Sequence, residues 1–444
     1  MQNATARRRP SHPSRRPGPA FAAGLLLALV TTGCGPSPED DPAPSSTEED
    51  GVTLQLPEGF RAEVFAEDVG RARHLDVRNN GDVYVRLREA RDGFGLVGLR
   101  GADGDGRAER IERFEESTGT GLEIEEPWLY FSSDTAVMRY RLDPEALVPD
   151  GAPEVIAEGF PDQDQHAAKS FALDRRGTLF VNCGAPSNAC QQERRTKGSP
   201  GRRPCPQLDD GGGIWRFDDD ETGQRQTLER RYATGLRHAV AIAWNPAAEA
   251  LFVVQHGRDQ LHSLWPEHYT TEENARLPAE ELHRIEQGRA HGWPYTYWDP
   301  SRRERMVAPE YGGDGETAAQ EGAYPEPLVA FPAHWAPNDL LFSESESFPA
   351  PYREGAFVAF HGSWNRYPHP QAGYKVVFVP FESGRPAGGY EEFADGFAGP
   401  GPVETPDDAR YRPMGLAFGP EGSLFVADSV KGRIWRIHYE GRSE

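Results

Sequence analysis

The sequence predicts an all-β protein: a six-bladed β-propeller with long loops roofing one face. Three observations predict it. The first is a recurring phrase, Arg73-His-Leu-Asp-Val-Arg-Asn-Asn-Gly81-Asp-Val-Tyr-Val85, then Lys169-Ser-Phe-Ala-Leu-Asp-Arg-Arg-Gly177-Thr-Leu-Phe-Val181, then Met414-Gly-Leu-Ala-Phe-Gly-Pro-Glu-Gly422-Ser-Leu-Phe-Val426. Each copy reads as a short apolar strand, a tight turn with Gly, and a second alternating strand. Hairpins repeated at wide, fairly even spacing are the signature of a propeller. The second observation is composition: 48 Gly and 39 Pro with few long helical patterns favour an all-β chain. The third is that the strands Gly213-Ile-Trp-Arg-Phe217 and Gly432-Arg-Ile-Trp-Arg-Ile437 resemble each other, as equivalent strands of two blades should. A pair of β-sandwiches is the competing fold, but the repeat carries through to the end of the chain.

The units follow in order. The first runs from about Arg71 to Phe114. The second holds Gly121-Leu-Glu-Ile, Trp128-Leu-Tyr-Phe and Val137-Met-Arg-Tyr-Arg-Leu. The third starts at His166 and ends at Phe217. The fourth runs from Gly235 through Leu251-Phe-Val-Val to Ile285. The fifth holds Leu340-Leu-Phe, Ala356–Phe360 and Tyr374–Val379, and the sixth spans Met414 to His438. Phe60-Arg-Ala-Glu-Val-Phe65 is left over at the front. It can pair with the last blade and close the ring without free edges. Insertions at about 185–212, 256–279 and 298–324 are long for a compact domain and so functional or disordered. Their aromatic and Pro content argues for ordered loops over one face.

Residues 1–33 read as a secretory signal, with Arg7-Arg8-Arg9 and Arg15-Arg16 ahead of the apolar run Phe21–Val30. That run is shorter than a membrane span of ~20 residues. Thr31-Thr32-Gly33-Cys34 resembles a bacterial lipoprotein cleavage box, with Thr31 where Leu usually stands and Cys34 as the lipidated residue. Residues 34–54, rich in Pro, Ser, Asp and Glu, read as a flexible tether, and 55–444 as the propeller domain. This predicts an exported protein, lipid-anchored in the cell envelope. A net charge of −22 argues against a nucleic-acid partner, since phosphate neutralisation needs a basic face. Of the remaining cysteines, Cys190 and Cys205 bracket a polar loop that would gain from a disulfide, leaving Cys183 free. Their spacing matches no zinc pattern.

Cations cluster where inner strands begin: Arg73 and His74, His166 and Lys169, Arg237 and His238, Arg410 and Arg412. Pairing with local acids is one reading. The other is a channel mouth suited to a ligand with several carboxylates or phosphates, which Arg binds bidentately.

The phrases Gln165-His166, Gly184-Ala-Pro-Ser-Asn-Ala-Cys190-Gln, Gly235-Leu-Arg-His238, Gly292-Trp-Pro294, His361-Gly-Ser-Trp-Asn-Arg366, Gly373-Tyr-Lys-Val376 and Arg412-Pro-Met-Gly-Leu resemble the pyrroloquinoline-quinone (PQQ)-dependent sugar dehydrogenases. That group includes soluble glucose dehydrogenase and L-sorbosone dehydrogenase, and the Gly362-to-Val376 phrases point to the sorbosone branch. The resemblance implies PQQ over the channel, calcium against it, and hydride transfer from a sugar or sugar-derived alcohol or aldehyde. An external electron acceptor is implied too, for no Cys-x-x-Cys-His haem motif is present. It implies His166 as general base. Asp162 and Asp164 are expected to orient its ring and keep its pKa near ~6.5. It implies cofactor contacts from Arg237, His238, Asn365, Arg366, Lys375 and Arg412, and calcium on the backbone carbonyls of Gly257 and Arg258. Gly119-Thr-Gly121 stands where glucose enzymes use Gln, which speaks against glucose. Asp103, Asp105 and Glu109 form either a second calcium loop or a plain hairpin turn. A calcium-dependent lactonase-type propeller and a non-enzymatic glycan-binding propeller stay open as alternatives.

Overall fold

The computed structural model describes residues 52–101 and 106–441. The signal segment, Cys34, most of the tether, Asp103 and Asp105 lie outside the described residues, so lipidation and the second calcium loop are not addressed by it. Glu109 lies just ahead of the strand Arg110–Phe114.

Six sheets form the blades, antiparallel throughout except where Gln224–Arg225 pairs parallel with Glu154–Glu158 at the outer edge of the second. Their innermost strands are Ala72–Val77, Leu122–Glu125, Phe171–Leu173, Ala241–Asn245, Pro337–Phe342 and Pro413–Phe418. Each touches the next, and the sixth touches the first, which is the propeller the repeat predicts. The tight turns explain the phrase. In the third blade Arg175 and Gly177 both take positive φ, and Asp174 accepts from the N–H groups of Arg176 and Thr178 at 2.8 and 2.9 Å. Gly tolerates this geometry without the Cβ penalty.

The front strand Phe60–Ala66 pairs antiparallel with Ile434–Tyr439, Phe60 opposite Tyr439. The last blade is thus built from both ends of the described chain, as expected. Phe60 fixes this closure: its ring lies 4.8 Å from Phe348, 5.0 Å from Phe393 and 5.1 Å from Tyr439.

Carboxylates stitch neighbouring blades at the channel wall. Asp76 accepts from Ile124 N–H (2.7 Å), Glu123 from Leu173 N–H (3.0 Å), and Asp339 from Leu416 N–H (2.8 Å). All three line a cavity of about 780 Å³ at the end where the inner strands finish, opposite the mouth where the cations gather. Burial pushes Glu123 up to about 8 and Asp76 up to about 6. A carboxyl raised in the fold favours folding while it is protonated. That contribution is lost as pH climbs from the ordinary value of 4.5 through about 8. Glu123→Gln is therefore expected to raise Tm at about pH 8 and to leave it nearly unchanged at about pH 5, read by calorimetry. A Tm loss at both pH values would contradict the assignment.

The three insertions are ordered. Residues 185–212 are closed by the Cys190–Cys205 disulfide, and Cys183 is free and buried, as expected. The second insertion carries two short helices, Leu261–Leu264 and Thr271–Arg276, that the periodicity does not announce because they span only one or two turns. The third folds as a hairpin, Thr296–Asp299 with Glu304–Val307. Tyr269, Tyr297, Met306 and Leu261 give this roof its own small core.

Candidate active site

His166 precedes the inner strand of the third blade and takes a left-handed φ of 53°, which L side chains rarely adopt. Gln163 holds that turn by donating to the carbonyls of Gln165, His166 and Gly184 at 2.8–3.0 Å. The ring is oriented through Nδ1, 2.6 Å from the Ala185 carbonyl. A carbonyl can only accept, so Nδ1 carries the proton and Nε2 is left with its lone pair. The expected orienting carboxylate is absent. Asp164 instead pairs with Arg194 on the surface (3.2 Å), because a buried turn offers the ring a main-chain acceptor first. The expected pKa near 6.5 is also overturned. Burial, reinforced by the Arg237 charge, pushes His166 well below its ordinary value.

His238 stacks on it, and His256 leans against His238 at a tilt of 53°. His238 lies 4.5 Å from His166 and His256 lies 4.9 Å from His238, between ring centroids. Gly184 makes this possible, since a Cβ there would fall 2.6 Å from the His166 Cβ and 2.8 Å from His238 Nδ1. Burial drives His238 well down and His256 to about 4, so both are neutral near neutral pH. His256 Nε2 donates to the Pro337 carbonyl (2.8 Å). His238 Nδ1 is buried and has no partner among the described residues.

Arg237 is buried and largely committed to the protein. It donates to Asn188 O (3.2 Å), Asn188 Oδ1 (3.1 Å), Gly257 O (2.9 Å) and Asp259 Oδ2 (2.8 Å). Asp259 also pairs with Arg195 at 3.2 Å, and these guanidinium groups hold its carboxyl well below the usual range against the opposing effect of burial. Two guanidiniums against one carboxylate leave this corner positive.

On the other side, Arg73 donates to Met414 Sδ (3.1 Å), its Nε is buried without a partner, and no carboxylate pairs with it among the described residues. Burial, then Arg88, Arg71 and Arg412, pull it down to about 10. Arg412 donates to the carbonyls of His361 (2.9 Å) and Gly362 (2.7 Å), and its guanidinium bonds no carboxylate among the described residues either. Lys169 is fully buried with only carbonyl partners, Ala167 at 2.7 Å and Pro161 at 3.5 Å. A buried lysine and two half-buried guanidiniums held by carbonyls and a thioether, one N–H of them orphaned, are what an anion site looks like before its ligand binds.

Other expected contacts are placed differently. Lys375 does not join the cluster. It is bound to Glu392 (2.5 Å) and Asp395 (2.7 Å), acids on the strand paired beside it. Arg366 spends its guanidinium on the carbonyls of Ala275 (2.7 Å) and Pro370 (2.9 Å). Asn365 is buried, accepting from Gln260 N–H (3.1 Å) and lying 3.2 Å from His334 Nε2. Arg258 forms a buried pair with Glu310. The oxygens near residue 257 do not fit a calcium ion by themselves. The Gly257 carbonyl already accepts from Arg237, the Asn188 oxygens do too, and among the described residues no group of three or more His, Cys, Asp or Glu could hold a metal. Gly119 and Gly121 are dictated by packing: a Cβ would fall 1.9 Å from Ser132 O and 2.6 Å from Phe171.

Arg195, His256 and Asp259 escape motif reading, Asn188 and His361 lie within the quoted phrases without an assigned role, and Arg73 is legible only as a channel cation. One signal could have found the histidines. Gln255-His256-Gly257 and Phe360-His361-Gly362 occupy equivalent points, just after the second strands Ala250–Gln255 and Gly355–Phe360.

Against this geometry, a family model described as TrAA12-like matches residues 54–440. The chain belongs to the TrAA12-like family. An uncharacterized protein of Borreliella burgdorferi is 26% identical over 215 residues, 48% of this chain and 49% of that protein. A PQQ-dependent pyranose dehydrogenase of Coprinopsis cinerea is 38% identical over 100 residues, 20% of this chain and 12% of that one. The matched stretches thus span half or less of these curated relatives. The solved holo form of the C. cinerea pyranose dehydrogenase PQQ domain superposes with a TM-score of 0.69 at 20% identity, covering 87% of this TrAA12-like chain and 97% of the domain. That likeness shows the shared propeller.

The disulfide loop carries Asn188 and Arg195 into the site. A Cys190→Ser, Cys205→Ser double variant is expected to lose ~2–4 kcal/mol of stability in denaturant unfolding. Peptide mapping under non-reducing conditions should show Cys183 unlinked. A variant of unchanged stability would mean the roof is held without the staple.

Proposed function

We propose that this protein is a PQQ-dependent oxidoreductase acting on a sugar or a sugar-derived alcohol or aldehyde, with L-sorbosone-like compounds as the first substrates to try. The observation that carries the reading is Arg73: a half-buried guanidinium whose Nε is buried without a partner and which has no carboxylate among the described residues, beside Arg412 and three neutral imidazoles. A flat quinone with three carboxylates satisfies such a set, and its pyranose-oxidising relative is PQQ-dependent by description. When bound, the quinone accepts the hydride. Everything else falls to this chain. Arg73, Arg412 and the residual charge of the Arg237–Asp259–Arg195 group hold carboxylates. His238 Nδ1 offers a buried polar contact. His166 Nε2 takes the substrate hydroxyl proton, its ring held by Ala185 O. Calcium enters only through the resemblance, and no step here runs through it.

Export and lipid anchoring at Cys34 belong to the same proposal, and the intact disulfide suits an oxidising compartment. Cys34→Ser should release the protein from the membrane fraction. The functional test is dye reduction by purified protein over sugars, sugar acids and aldehydes, with PQQ, with PQQ plus calcium, and with a nicotinamide cofactor. Activity with PQQ alone or with calcium supports the proposal. Activity with the nicotinamide alone overturns it.

A further inference from the structure

Trp364 is 49% exposed and Tyr367 75% exposed, and they are the only aromatics among the large apolar side chains left exposed in the described residues. Neither has a ring, cation or hydrogen-bond partner among those residues, although indole is ordinarily buried and its N–H paired. The backbone around them is the opposite of loose. The carbonyls of His361 and Gly362 accept from Arg412. The Ser363 carbonyl lies 3.5 Å from the Tyr374 hydroxyl, and Asn365 is locked between Gln260, His334 and Asn274, the last at 2.7 Å from its carbonyl. Arg366 ties the far end to Ala275. Five of the six residues 361–366 are pinned to both sides of the cation-lined mouth, and the sixth carries a large side chain without a partner among the described residues, the Trp364 indole.

A fixed, half-exposed aromatic face at a site mouth calls for a flat, CH-rich ligand. A protein partner would need a patch burying on the order of 1,000 Å² in total. Here the remaining exposed large apolar residues among those described are Ile111 on the first blade, Leu228 after the third blade's outer turn, Leu328 on the fourth and Val430 on the sixth; only Val430, next to the Ser429 hydroxyl that lies 2.6 Å from His361 Nε2, is near the two rings, and one aliphatic side chain does not make such a patch. Two rings three residues apart match a sugar ring in size, and a rigid loop loses little entropy when one docks.

Resting on the sugar-oxidoreductase reading, we infer that Trp364, flanked by Tyr367, is a stacking platform for a pyranose unit lying outside the reacting one, so that the preferred substrate is an oligosaccharide or glycoside rather than a free monosaccharide. The reacting carbon belongs beside His166 on the third blade. Trp364 stands at solvent level on the fifth-blade loop, where a second unit would lie.

The test compares wild type, Trp364→Ala and Trp364→Phe loaded with PQQ. A small dye serves as acceptor, and a monosaccharide and its disaccharide share the same oxidised unit. Trp364→Ala is expected to raise KM for the disaccharide about tenfold more than for the monosaccharide, with kcat for the two affected alike, and Trp364→Phe to recover most of the loss. Equal losses on both sugars, or a defect seen only with a protein acceptor, overturn the inference. Saturation-transfer NMR of the disaccharide with quinone-free protein keeps the two readings apart. Transfer to the outer ring that disappears in Trp364→Ala supports the platform even if no sugar is ever oxidised, and transfer that persists overturns it.

Discussion

His166→Ala is expected to lower turnover by roughly 10²–10⁴, with the quinone titration little changed. The size follows from what the residue does: its Nε2 is the free lone pair at the site, and Ala185 O fixes which nitrogen that is. The pH profile separates this role from a packing role. Burial and the Arg237 charge hold His166 well below its ordinary value, so the imidazole is neutral at pH 6.5 and above. Turnover of the wild type should therefore hold steady through pH 6.5 and fall only in more acid solution, where His166 gains its proton. A fall centred near pH 6.5, or wild-type turnover in the variant, would remove His166 from the base position. Loss of turnover only on mutating His238 or His256 would move the base along the stack.

Arg73→Met is expected to act with opposite signs on two measurements. In the quinone-free protein the guanidinium is half-buried, with a buried, orphaned Nε and a sulfur for a partner. Replacing it by an unbranched apolar chain of similar length removes an uncompensated charge, so stability should rise by about 1–3 kcal/mol. Quinone affinity should fall, because a charge-assisted bond to a carboxylate is lost. Such a bond is worth ~1.5–3 kcal/mol, or roughly ten- to a hundredfold in Kd. Arg237→Ala is the useful contrast. It breaks the pair with Asp259 and leaves that buried carboxylate partly uncovered, so it should lose both stability and affinity. A destabilised Arg73→Met with unchanged quinone binding would mean that this cation serves the fold and not a ligand.

What the sequence discloses here tracks how local each signal is. The hairpin phrase at residues 73, 169 and 414 is local, and so are the turns it contains, which is why the blades and the closing strand Phe60–Ala66 are readable. The Cys190–Cys205 pairing is readable because it closes one short loop. The channel cations are readable in type, since each heads an inner strand. Their partners are not. Lys375 looks like a site cation until Glu392 and Asp395, on the paired strand, are seen to neutralise it. Arg73 is readable as a channel cation, but that no acid among the described residues pairs with it shows only in the structure. The perturbed imidazoles are invisible for the same reason. A histidine's pKa is set by burial and by Arg237, 71 positions away for His166, and by no neighbour in sequence. Asp259 and Arg195 meet Arg237 only because two roof loops fold over the same blade. Calcium at residues 257 and 258 rests on the family resemblance alone, and the Gly257 carbonyl already accepts from the Arg237 guanidinium.

The central claim is that the cation-lined mouth is a quinone site. Its most direct measurement is an equilibrium titration of purified, quinone-free protein with PQQ, followed by the quinone's absorbance, with and without calcium. Saturation at one quinone per chain with micromolar or tighter affinity, weakened at least tenfold in Arg73→Met, is the predicted result. No saturable binding at micromolar concentrations under either condition would contradict the account.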